Sequence, residues 1–176
     1  MKFHNERTNL TLWCVATIIR LMDERDYEPF RGLFEEAYAE YLEFLKVKNP
    51  QRYGKERKIR REVSPARFNH YLETGSSFVA EEDGKLIGYV ASQAISFMHG
   101  VDKLLWIEYI VVQSGHRRRG VGTALLNRLI DYAKSVNIDR IYTTINPNNE
   151  ASVKLHRNVG FNVEDRKVAS LRIQAL

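Results

Sequence analysis

The chain has 176 residues, 44% hydrophobic and 28% charged, with 27 Lys and Arg against 22 Asp and Glu for a net charge of +5. That length supports one core and little more, and the balance is that of an ordinary folded protein rather than a disordered tail or a membrane span. The lone Cys14 excludes a disulfide framework and a zinc cluster, so a single domain over residues 1–176 in a reducing, cytoplasmic setting is expected.

The apolar run from Leu10 to Ile19 lacks the cleavage site of a signal peptide and leads directly into "RLMDERD". The β-branched segment Leu12 to Leu21 therefore reads as a strand. Phe30, Leu33, Phe34, Ala37, Tyr38, Tyr41, Leu42 and Leu45 then recur at helical spacing and lay one apolar stripe along Tyr27 to Lys46. Between Lys46 and Val63 stand eight basic and two acidic residues, so the rest of the chain is close to neutral. A solvated helical face accounts for such a run, as does a surface that attracts negative charge. Ser64 and Pro65 supply a cap and first residue for a short helix through Leu72, closed by Gly75. "SSFVAEEDGKLIGYVASQAI" is a hairpin around Asp83-Gly84.

Leu104 to Val112, "LLWIEYIVV", is a strand buried on both faces, interrupted by Glu108. A helix follows from Val121 to Val136, then a strand in "RIYTTI", a helix from Asn149 to Val159 ending at Gly160, and strands at Phe161 to Glu164 and Val168 to Ile173. The fold class is α/β of the α+β kind, a mixed sheet of about seven strands with about four helices.

Between strand and helix sits "QSGHRRRGVGTALLNRL", Gln113 to Leu129. A nucleotide P-loop would need lysine where Val121 stands, and the dinucleotide fingerprint would need glycine where Leu125 stands. A third pattern, [QR]-x-x-G-x-[GA], is satisfied by Arg117, Gly120 and Gly122. Such a turn gathers backbone N–H groups at the positive end of a helix and suits a diphosphate.

Downstream, "NNEASVKLHRNVGF" opens a helix at Asn149 and sets Ser152, Leu155 and His156 on one face. Together with the arginine-glycine loop and the order of elements, it resembles the GNAT superfamily of acetyl-CoA-dependent N-acetyltransferases over roughly Val15 to Ile173. The resemblance implies a mostly antiparallel sheet and one N-acetyltransferase domain. It also implies acetyl-CoA as co-substrate, with the pantetheine arm along Ile110, Val111 and Val112. The pyrophosphate would sit on Arg117, Arg118, Arg119, Gly120, Val121, Gly122 and Thr123, with Asn149 and Ser152 beside the cofactor arm. Family members often carry tyrosine where this chain has His156; that tyrosine can protonate the departing thiolate.

Acetyl transfer requires a neutral amine, and holding a lysine-type amine neutral at pH 7 costs roughly 4 to 5 kcal/mol. Glu108, acidic within an apolar strand, is the candidate base, directly or through water, and His156 the candidate acid. No metal is expected, since the five histidines show no ligand spacing. The basic run biases the acceptor toward one with negative charge nearby. The other readings are an acyl-CoA-binding module without catalysis and a nucleic-acid-binding protein. The second is disfavoured because Tyr53 is the only ring among the basic residues. No membrane partner is expected; a homodimer is left open.

Overall fold

A computed structural model describes residues 16–58, 62–98 and 101–167. Strand β1 is Ile18–Leu21, and helix α1 runs Tyr27–Lys48. Helix α2, Pro50–Glu56, lies within the basic run, where Asn49 caps it by accepting the Arg52 N–H at 3.1 Å and Pro50 supplies the first residue. Helix α3 is Pro65–Glu73, capped as expected by Ser64. Strands β2, Phe78–Glu82, and β3, Lys85–Met98, meet at Asp83 and Gly84, both at positive φ (52° and 72°), as the tight turn requires. Strand β4 is Val101–Val112, helix α4 Val121–Ser135, strand β5 Ile141–Thr143 and helix α5 Glu150–Asn158.

The sheet order is β1-β2-β3-β4-β5, antiparallel except for the parallel pair β4/β5. One face is covered by α4 through Val121, Leu125, Leu126, Leu129 and Ala133, packed on Phe78, Ala80, Ile87, Val90, Leu105 and Ile107. The other face takes Phe30, Leu33 and Phe34 of α1 and Phe68 and Tyr71 of α3, against Val79, Tyr89 and Ala91. Burying each such side chain contributes about 1.5–3 kcal/mol, so the two layers fix the sheet between them.

Strand β4 departs from a regular ladder in two places. β5 pairs it only at Leu105, Trp106 and Ile107, so the strand edge from Glu108 onward has no β5 partner. Against β3, Ile107 stands opposite Ser92 and Tyr109 opposite Ala91, which leaves Glu108 as the extra residue of a bulge. Gly88 lets the two strands meet beyond it: a Cβ there would lie 2.8 Å from the Val111 carbonyl oxygen.

The described residues hold five strands rather than about seven. Phe161 to Glu164 is not a strand; its backbone is engaged locally at both ends, the Phe161 N–H by the His156 carbonyl at 3.0 Å and the Glu164 carbonyl by the Arg166 N–H at 3.2 Å. The expected strand at Val168 to Ile173, and the first residues of the one expected from Leu12, lie outside the described residues. There are five α-helices among the described residues, α2 being the addition to the four expected.

Candidate active site

The loop between β4 and α4 is built by backbone conformation. Arg118 (φ 63°) and Gly120 (φ 85°) are both left-handed, flanking Arg119. Such alternation turns successive N–H groups into one concavity. α4 has no side-chain N-cap, and its first ladder bond is Ala124 N–H to Gly120 C=O at 2.9 Å. The N–H groups of Val121, Gly122 and Thr123 precede that bond and face outward from the positive end of the helix. The Val121 side chain is core, so its amide is what it can offer a ligand. Gly122 has a packing reason as well: a Cβ there would meet Leu155 of α5 at 3.1 Å.

The three arginines divide. Arg117 donates from Nε to the Val112 carbonyl at 2.9 Å and pairs with Glu40 of α1. Arg119 pairs with Glu82 at the end of β2 at 3.0 Å. Both hold the loop to the body of the protein. Arg118 is exposed and makes no hydrogen bond among the described residues, so its charge is available to an anion. Arg117 also occupies the Val112 carbonyl, one of the backbone groups expected to face the pantetheine arm along Ile110 to Val112. The donors present suit a diphosphate: several convergent amides, the Arg118 guanidinium and an open strand edge.

On the other side of β4 the groups are side chains. The bulge turns both Glu108 and Tyr109 toward the α1/α3 layer. Glu108 accepts the Tyr71 hydroxyl at 2.7 Å on Oε2, and Arg67 Nη2 lies 4.0 Å from Oε1. The Glu108 side chain is 27% exposed, so it reaches solvent instead of being sealed in the apolar strand. Burial first, and then the Glu108 carboxylate, push the Tyr71 hydroxyl well above its ordinary pKa of 10, so it stays a donor. Tyr109 meets Phe34 edge-on at 5.2 Å, and Phe34 stacks on Tyr38 at 6.2 Å, an aromatic row along α1. Tyr38 donates to the Glu56 carbonyl, tying that row to α2. Tyr53 of α2 carries the Arg57 guanidinium over one face of its ring at 5.8 Å.

On α5, Asn149 caps the helix through the Ser152 N–H at 3.1 Å. His156 is 1% exposed, edge-on to Phe161 at 5.1 Å. Its Nδ1 lies 2.8 Å from the Ser152 carbonyl oxygen, which can only accept, so Nδ1 carries the proton and Nε2 is bare and without a partner. Burial holds its pKa below the ordinary 6.5, against a smaller opposing effect of the Ser152 bond. Donating from Nε2 would need a second proton that burial disfavours.

Arg67 and Tyr71 were not anticipated. Their i, i+4 spacing in the helix begun by Ser64-Pro65 is legible, but which strand that helix packs on is not. Among the described residues no group of three His, Cys, Asp or Glu could hold a metal ion, and no helix is long and apolar enough to cross a membrane.

Residues 31–161 match the family model of the Acetyltransferase (GNAT) family. The L-2,4-diaminobutyric acid acetyltransferase of Nocardia farcinica is 32% identical over 82 residues, 46% of this chain and 40% of that enzyme. The N-alpha-acetyltransferase of Sulfurisphaera tokodaii is 28% identical over 118 residues, 59% of this chain and 71% of that enzyme. The chain thus spans well under the full length of such relatives. An aminoglycoside N-acetyltransferase solved in complex with CoA superposes with a TM-score of 0.66 at 21% identity, covering 89% of this chain and 99% of that one, a likeness of fold. The loop, the parting of β4 from β5 and the matched span agree: the chain belongs to the acetyltransferase (GNAT) family.

Proposed function

We propose that this chain transfers the acetyl group of acetyl-CoA to a primary amine by direct attack of the amine on the thioester. The observation that carries the reading is the arrangement around β4. An anion-binding loop follows its end, its edge is free of β5 past Ile107, and a solvent-reachable carboxylate projects from its bulge.

Acetyl-CoA supplies the acyl group as a thioester, from which a thiol departs. The amides of Gly120 to Thr123, with Arg118, hold the pyrophosphate, while Arg117 and Arg119 keep the loop in place. Asn149 and Ser152 stand beside the cofactor arm. The Ile110 to Val112 edge orients that arm, and a backbone N–H there is the donor to the carbonyl oxygen as charge develops on it. Glu108 takes the ammonium proton, and Tyr71 steadies its carboxylate. His156, neutral and buried, takes no proton-transfer part; its Nδ1 bond to the Ser152 carbonyl steadies the first turn of α5. The proton lost by the amine reaches the thiolate through Glu108 and solvent.

The basic run, with Arg52, Lys55, Arg57 and Lys58 exposed on and beside α2, favours an acceptor with negative charge near its amine. The named relatives act on amines of several kinds, which supports the reaction class and leaves the acceptor to experiment. The test is release of free CoA thiol from acetyl-CoA across amino acids, peptides, polyamines and aminoglycosides, with mass spectrometry of the acceptors. An acetylated amine is the expected outcome. Tight acetyl-CoA binding by calorimetry with no thiol release on any acceptor would make the protein a binding module instead.

A further inference from the structure

Arg67 stands one helical turn before Tyr71 on α3, so both side chains share one face of the helix and both reach Glu108 of β4. They treat the two oxygens of Glu108 differently. Tyr71 hydrogen-bonds Oε2 at 2.7 Å, whereas Arg67 Nη2 stops 4.0 Å from Oε1, beyond hydrogen-bond range. The guanidinium makes no hydrogen bond among the described residues, and 40% of the side chain is exposed. A fork of N–H donors thus stands open beside the oxygen that Tyr71 leaves free.

We propose that Arg67 selects acceptors bearing a carboxylate on the carbon that carries the amine, that is, free α-amino acids. In such a molecule the nitrogen and the nearer carboxylate oxygen are about 3 Å apart, as standard bond lengths dictate. An amine at Oε1 of Glu108 therefore brings its own carboxylate to the guanidinium, whose planar fork matches it in two parallel hydrogen bonds. An acceptor with an amide or hydrogen in that place leaves its ammonium facing Arg67 with like charge and nothing between. Elsewhere on this helix His70 is paired with Gln93 at 2.8 Å. The inference rests on Glu108 receiving the acceptor amine.

The test compares kcat/KM for a set of α-amino acids, their primary amides and their decarboxylated amines, in the parent protein and in Arg67→Met and Arg67→Lys. The parent should favour the acid over the amide by about tenfold to a hundredfold, the usual effect of a hydrogen bond to a charged group. Arg67→Met should abolish that preference by raising the KM for the acid and lowering it for the amide, whose ammonium no longer faces a like charge, with the affinity for acetyl-CoA unchanged. Arg67→Lys should restore part of it. Acetylation of amides and amines with no preference for the acid, or a preference unchanged in Arg67→Met, overturns the role of Arg67 and leaves the acetyltransferase reading intact. Absence of thiol release with all three acceptor classes overturns both.

Discussion

The two sides of β4 are built from different materials. On the proposed cofactor side the candidate binding groups are main-chain amides, set by two left-handed residues and an uncapped helix, and two of three arginines are spent on anchoring. On the proposed acceptor side the groups are side chains, Glu108, Tyr71 and Arg67, contributed by a strand and a helix distant in sequence. A backbone site is indifferent to most side chains and sensitive to φ. A side-chain site is the reverse, so one fold can keep a single cofactor while its acceptor changes.

The sharpest break should come at Glu108. Glu108→Gln keeps the Tyr71 bond available but cannot take a proton, so kcat/KM for the acceptor should fall about a hundredfold, with acetyl-CoA affinity unchanged and partial recovery at high pH. An equal loss of cofactor affinity would mean that the two sides are not separable.

Next, Gly120→Val forces a β-branched residue into a left-handed conformation where strain is of order 1–3 kcal/mol, although a Cβ meets nothing within 4 Å. Acetyl-CoA affinity should drop about tenfold by calorimetry, and Arg118→Ala should lower it less, because one exposed charge is worth less than the converging amides. The reverse ranking would make the cofactor side a side-chain site after all.

The smallest effect concerns His156 and stability. Its pKa is depressed in the folded protein, so the unfolded chain binds the proton first as pH falls below 6.5. Folding stability from this group is full above that value and declines below it, by up to about 1.4 kcal/mol per pH unit. Denaturant unfolding at pH 7.5 and 5.5 should reveal a larger loss in the parent than in His156→Phe. Equal losses would show that the imidazole keeps its ordinary affinity for protons, and would reopen a proton-donating role for it.

Much of the architecture was legible because local chemistry decided it. Asp83-Gly84, Ser64-Pro65, Asn149 and Gly160 each impose a conformation on their own few residues, and the arginine-glycine loop is a contiguous pattern. Helix α2 had its signal in Asn49-Pro50, masked by the charge around it. The strand expected at Phe161 had suitable residues, but a strand exists only with a partner, and the backbone at its two ends bonds His156 and Arg166 instead. The bulge left no mark in "LLWIEYIVV", since a strand covered on both faces shows no alternation to interrupt. For the same reason the Glu108 partners on α3 could not be read from spacing alone.

That bulge gives β4 two halves of opposite parity. Before Glu108 the odd residues Leu105 and Ile107 face α4; after it the even residues Ile110 and Val112 do, while Tyr109 and Val111 turn to α1. The one supernumerary residue is also the one that carries the carboxylate. Deleting Glu108 would restore a regular ladder and leave Tyr109 to Val112 on the faces they already hold, at the loss of the side chain. An insertion in the same segment has no such outlet: unless a second bulge absorbed it, the residues beyond would exchange faces, carrying the apolar side chains of one layer into the other and swinging the loop that follows. The segment is open to substitution and closed to growth.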